Sequence, residues 1–298
     1  MIGRSCLILL AAALIGAAPP AEYVVTGDGV APVVVNGVPG RIRIDPAAPS
    51  LAMLAPAYGA RVQLRPGPFA FLYMVGPERV EGRTAVARIG LDGVRPRRRR
   101  VGWTQRAYAA EADGVIGPGG LPQAVVRFVL RPSVPGERTV ALPLVDEGGL
   151  FGGWGASYAV IEVGGAPMRV RFDPHQPRTL ATAGAGVRLA AAHEGRIAGE
   201  TESVTVAFGI ARPVRTLRLA RPLAIGPLTI QALGVRTADF GNAASIREEG
   251  GDPDEIVVTA ERRRNPHRDR IAIGADSLAR CSSIVFDRPA RRIRLTCA

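Results

Sequence analysis

Two aspartates, Asp45 and Asp173, hold the same place in two copies of one short pattern. The segment Val35–Pro49 (VNGVPGRIRIDPAAP) aligns without a gap on Val163–Pro177 (VGGAPMRVRFDPHQP). The Val, the Gly, the first Pro, both Arg, the Asp and both later Pro coincide. Two carboxyl groups suffice for general acid–base chemistry, since one can take a proton from water while the other gives one to the substrate. A single Asp-Pro reads more simply as a turn that stops a strand, because Pro cannot extend a ladder and Asp favours turns. The same dipeptide at one fixed offset in both copies favours a shared site instead.

Other chemistries are narrowed by composition. The chain has 298 residues and a formal net charge of +12, and its whole Lys-plus-Arg count of 38 is Arg. Without Lys there is no Schiff base and no phosphate-loop lysine. Three Cys do not make a cysteine-rich zinc or iron–sulfur protein. His175, His193 and His267 are too scattered for a metal site, and no Gly-x-Ser-x-Gly elbow is present. No metal and no other cofactor is therefore expected.

The elements that must carry the aspartates are strands. Aromatics make up only 5% of the chain while Gly numbers 36 and Pro 25, which suits many short strands joined by turns. Each copy reads as strand, glycine turn, strand, with the Asp where the second strand ends at Pro. A second element also recurs: Asp113–Gly117 after the first copy and Ile271–Leu278 after the second. Both give two apolar residues, a Gly and a short helical start. The second interval, Asp173 to Gly274, is about thirty residues longer than Asp45 to Gly117. A polar, Arg-rich insertion at about 239–269 accounts for the excess. Glycine-rich 148–155 reads as a linker between halves at 22–147 and 156–298.

A hairpin delivering an Asp, then an apolar-apolar-Gly segment, once per half, resembles the two-lobed aspartic peptidases of the pepsin and retropepsin type. The closing stretch, Ile273–Leu295, is similar to that family's C-terminal end. The resemblance implies a mostly β, bilobal fold of two related β-barrel-like lobes with pseudo-twofold symmetry. It implies that Asp45 and Asp173 meet in the cleft as a water-activating dyad, and that the substrate or ligand is a polypeptide. The family motif is Asp, Thr or Ser, Gly; here it reads Asp45-Pro46-Ala47 and Asp173-Pro174-His175. Pro46 and Pro174 lack the hydroxyl, and the ring of His175 can hydrogen-bond a carboxylate. The expected function is thus peptide-bond hydrolysis if the dyad is active, or otherwise peptide binding or protein docking in the cell envelope. The family's flap is expected over Pro77–Thr84, with Gly82 at its turn. Tyr73 is its candidate aromatic, and Tyr73, Gly82 and His175 are the candidate substrate contacts.

The N-terminus reads as an address. Arg4 precedes an apolar run, Cys6–Ala18, too short to cross a bilayer, where about 20 residues are needed. Small residues at Ala17–Ala21 complete a signal peptide over 1–21, implying a periplasmic or secreted protein. Cys281 and Cys297 then remain, and an exported pair suggests a disulfide. Strands on either side of Asp287–Arg291 support it: a register pairing Val285 with Ile293 sets Cys281 opposite Cys297.

Two further segments raise partner questions. Arg95-Pro96-Arg97-Arg98-Arg99-Arg100 has no interleaved stacking aromatics, so it reads as a charged strand edge that blocks edge-to-edge pairing, and no nucleic acid is expected. The basic excess is suited to peripheral contact with anionic membrane headgroups. Ile256–Thr259, set between acidic and basic clusters, is similar to the short TonB box of outer-membrane receptors. It implies an envelope partner joined by strand addition. An exposed loop with one local strand is the simpler alternative.

Overall fold

The computed structural model describes residues 22–147, 154–239, 241, 243–250 and 266–298. The expected signal peptide at 1–21, most of the glycine linker and the Ile256–Thr259 segment lie outside the described residues.

The protein is mostly β, as the turn-rich composition requires. The first half runs β1 (Glu22–Val25), β2 (Val30–Val35), β3 (Val38–Ile44), β4 (Ala52–Leu54), helix α1 (Pro56–Arg61), β5 (Ala70–Val75), β6 (Glu78–Leu91), β7 (Arg97–Thr104), β8 (Gly114–Ile116), β9 (Val125–Val129) and β10 (Arg138–Asp146). The second runs β11 (Ser157–Val163), β12 (Ala166–Phe172), β13 (Leu180–Ala181), helix α2 (Ala183–His193), β14 (Gly195–Ala207), β15 (Ile210–Ile225), β16 (Leu228–Arg236), β17 (Arg270–Ile273), helix α3 (Ala275–Leu278), β18 (Cys281–Asp287) and β19 (Arg292–Cys297).

The duplicated pattern folds twice into the same hairpin. In β2–β3 the turn is Asn36-Gly37, with φ of 50° and 85°; in β11–β12 it is Gly164-Gly165, with φ of 58° and 73°. Both central residues are left-handed, as a two-residue turn joining right-twisted strands demands. Alternation does the rest: Val33, Val35, Ile42, Ile44, Val163, Val170 and Phe172 are all buried.

The pairings beyond the hairpins recur as well. β3 runs parallel to β8, β8 antiparallel to β4, and β4 parallel to β7. In the second half β12 runs parallel to β17, β17 antiparallel to β13, and β13 parallel to β16. The halves then diverge. Pairing of Val33–Val35 with Ile89–Leu91 joins β2 to β6 and closes a six-stranded barrel. β11 instead pairs with β10, and the second half stays open within a twelve-stranded sheet. β1, β9 and β10, from the first half, lie in that sheet beside β18 and β19. One apolar cluster runs from Val33 and Ile44 through Phe128 and Phe286 to Phe172 and Leu217.

The Sγ atoms of Cys281 and Cys297 lie 2.07 Å apart, at disulfide distance. The expected register around them is off by one: Val285 faces Arg294, and Phe286 faces Ile293. A bulge between Cys281 and Ser283 absorbs the difference and returns the two cysteines to opposite positions.

Candidate functional site

Asp45 and Asp173 are seated alike. The Asp45 N–H donates to the Ile116 carbonyl (3.0 Å), and the Asp173 N–H to that of Ile273 (2.8 Å). Each carboxylate then folds back on its own turn. Asp45 Oδ1 accepts from the Ala47 N–H at 2.7 Å, and Asp173 Oδ1 from the N–H groups of His175 and Gln176 at 3.2 and 3.1 Å. Pro46 and Pro174 fit the position after the Asp because no ladder donor is needed there. The apolar-apolar-Gly elements hold these turns from below. A Cβ on Gly117 would lie 2.2 Å from the Ala48 carbonyl oxygen, and one on Gly274 would lie 2.4 Å from the Arg178 carbonyl carbon. Glycine is needed at both for close backbone approach, not for an unusual φ.

The charge of Asp45 acts on Asp173. Burial pushes Asp45 up to about 6, against the Ala47 N–H and Arg43. Burial, then the neighbouring Asp45, pushes Asp173 up to about 7, against His175 and the turn amides. A buried carboxyl beside another carboxylate keeps its proton toward neutrality. Asp45 is 4% exposed, whereas Asp173 is only partly covered and borders a small cavity of about 50 Å³.

That cavity is roofed by the β5–β6 hairpin. Tyr73 reaches it and stacks edge-on with Tyr108 and Phe208, at centroid distances of 6.0 and 5.1 Å. Against its burial, the charges of Arg171 and Arg270 hold the Tyr73 hydroxyl below the usual phenol range. Val75 and Val80 of the hairpin pack on Phe208 and Ile210, around the β14–β15 turn, so the site is covered from both halves. The hairpin turn is Gly76-Pro77, with Val75 opposite Glu78 and φ of 61° at Gly76. The expectation of a turn at Gly82 is corrected. Gly82 lies inside β6 between Phe71 and Thr104, and its missing side chain makes room for the Phe71 ring.

His175 is placed differently from Tyr73. Its backbone reaches Asp173, but its side chain lines a separate pocket of about 370 Å³ with Pro46, Pro174 and Asp28. The expected ring-to-carboxylate hydrogen bond is replaced by the amide one.

The sequence reading passed over the arginines. Arg171, Arg236 and Arg270 line the cavity with Tyr73, Tyr108 and Asp173. Arg171 carried a usable signal, since side chains two apart on a strand share a face and Arg171 precedes Asp173 by two. Among the described residues no three His, Cys, Asp or Glu side chains converge as a metal site requires. The sequence matches no protein-family model and no curated protein.

Proposed function

We propose that the chain is an exported, two-lobed protein of the aspartic-peptidase type, which hydrolyses a peptide bond at Asp45 and Asp173. The observation that carries this reading is the paired seating of the two aspartates: the same turn, a carboxylate that accepts from amides of its own turn, a matching strand behind, and the charge of Asp45 felt at Asp173. With one proton on the pair, the ionised carboxyl takes a proton from water as it attacks the scissile carbonyl. The protonated one gives its proton to the carbonyl oxygen. The hairpin bearing Tyr73 lifts to admit a polypeptide and closes over it. Rate is highest where one proton is shared, between about pH 6 and 7. Below that window the base is protonated, and above it the acid is lost. Peptide cleavage by the wild type and by Asp45→Asn across pH 5 to 8 tests this: equal cleavage by both removes the catalytic role.

A second reading is favoured by one observation. The cavity holds only about 50 Å³ under a hairpin packed into the other half. On this reading the cleft binds a peptide without cutting it, as an envelope docking module would. Tight binding of a pepstatin-like inhibitor with no turnover of any peptide selects it.

A further inference from the structure

The face of the second sheet beneath the hairpin carries an unusual charge. Arg171 on β12, Arg270 on β17, Arg236 on β16 and Arg212 on β15 come from strands that neighbour one another through β13. Arg212 and Arg236 are buried, at 8% and 4% exposure. Arg236 is ion-paired with Asp239 at 2.6 Å, and Arg212 donates to the Ala238 carbonyl. The Nε atoms of both are buried without a hydrogen-bond partner. Among the described residues, Arg171, Arg212 and Arg270 have no ion-pair partner.

Guanidinium groups do not lose their proton in proteins, so this charge cannot be relieved by titration. Taking charge out of water is costly unless a counter-charge lies close; buried Arg236 has Asp239, while half-buried Arg171 and Arg270 have no ion pair among the described residues. Asp239 offsets part of it at Arg236 and Arg270, and the two site aspartates add only part more while they share a proton. Arg171, Arg236 and Arg270 also converge on one small cavity, which Tyr73 and Tyr108 line with them. Its volume of about 50 Å³ leaves room for a small group only. That suits a single planar carboxylate, which guanidinium forks bind bidentately.

We propose that this arginine face is an acidic-residue subsite, in which Arg171, Arg236 and Arg270 take the side-chain carboxylate of a substrate Asp or Glu next to the scissile bond. The inference rests on the peptide-cleft reading and names the substrate class for it. The acidic side chain supplies a counter-charge to Arg171 and Arg270 and seats the chain beside Asp173. Proton sharing with Asp45 limits the repulsion between Asp173 and that ligand.

The test is calorimetric binding to the full chain of two probes, acetyl-Ala-Ala-Glu-Ala-Ala amide and its Gln counterpart, with cleavage followed in parallel. The Glu peptide binds at least about tenfold tighter, as one charge-assisted hydrogen bond or more predicts. Arg270→Gln reduces that ratio toward one. Equal affinities in the wild type, or no binding of the Glu peptide at millimolar concentration, overturn the subsite whether or not the variant folds. The two readings fail separately. A preference for Glu without cleavage keeps the subsite and removes the peptidase, and equal binding with cleavage of both peptides does the reverse.

Discussion

The two copies of the aspartate pattern share a backbone and differ in company. Arg43 and Arg171 stand two residues before their aspartates on equivalent strands. Arg43 is ion-paired with the exposed Glu111 at 2.6 Å. Arg171 faces two tyrosines, Tyr73 and Tyr108, and another arginine, Arg270. Asp45 is sealed behind its turn, while Asp173 borders the cavity. Duplication therefore explains where the carboxyl groups are, and the neighbours supplied by the β5–β6 hairpin and the second sheet decide what each can do. A symmetric frame holds an asymmetric site, which an acid–base pair needs if its members are to take different roles.

That contrast can be broken or sharpened in several ways. The largest expected effect is catalytic: Asp45→Asn and Asp173→Asn each lower kcat by about 10³-fold or more, because neither burial nor exposure makes one carboxyl dispensable. Loss from one variant only, in steady-state cleavage, would break the pairing. Next come Gly117→Ala and Gly274→Ala, whose added methyl groups meet fixed backbone in both copies. Each costs roughly 2–4 kcal/mol in urea denaturation, and a neutral result for either would show that the copies are held differently. Asp45→Asn also bears on stability. A carboxyl raised to about 6 by burial keeps a proton that the unfolded chain sheds near 4. The wild type therefore loses stability as pH rises through that interval. The variant should be about 3 kcal/mol more stable than wild type at pH 8 and nearly equal to it at pH 4. A gain at both pH values would assign the effect to packing. The smallest change is Glu111→Gln, which frees Arg43 at the surface and costs less than about 1 kcal/mol by thermal denaturation.

What was legible in the sequence was local or repeated. The paired aspartates, the glycine turns of their hairpins and the apolar-apolar-Gly supports all follow from residues near one another. The cysteine pair could be read from one hairpin, although the bulge before Ser283 shifted the strand register by one. A bulge inserts a residue without a mark in composition. The position of the covering hairpin was missed because Gly82 and Gly76 look equivalent in isolation. Gly76 takes a left-handed φ beside Pro77, whereas Gly82 yields space to the Phe71 ring from the partner strand. Closure of the barrel through β2 and β6, and the passage of β1, β9 and β10 into the large sheet, depend on pairings far apart in the chain. The arginine face is hidden for the same reason: its four members are gathered from four strands, and only Arg171 belongs to the repeated pattern.

The most direct test of the shared proton is a carbon-13 carboxyl titration of Asp45 and Asp173 in the wild type and in Asp45→Asn. The wild-type pair should hold a proton to about pH 7, and Asp173 should titrate at lower pH once the charge of Asp45 is removed. Two independent titrations near pH 4, or an Asp173 that does not respond to the substitution, would contradict the account.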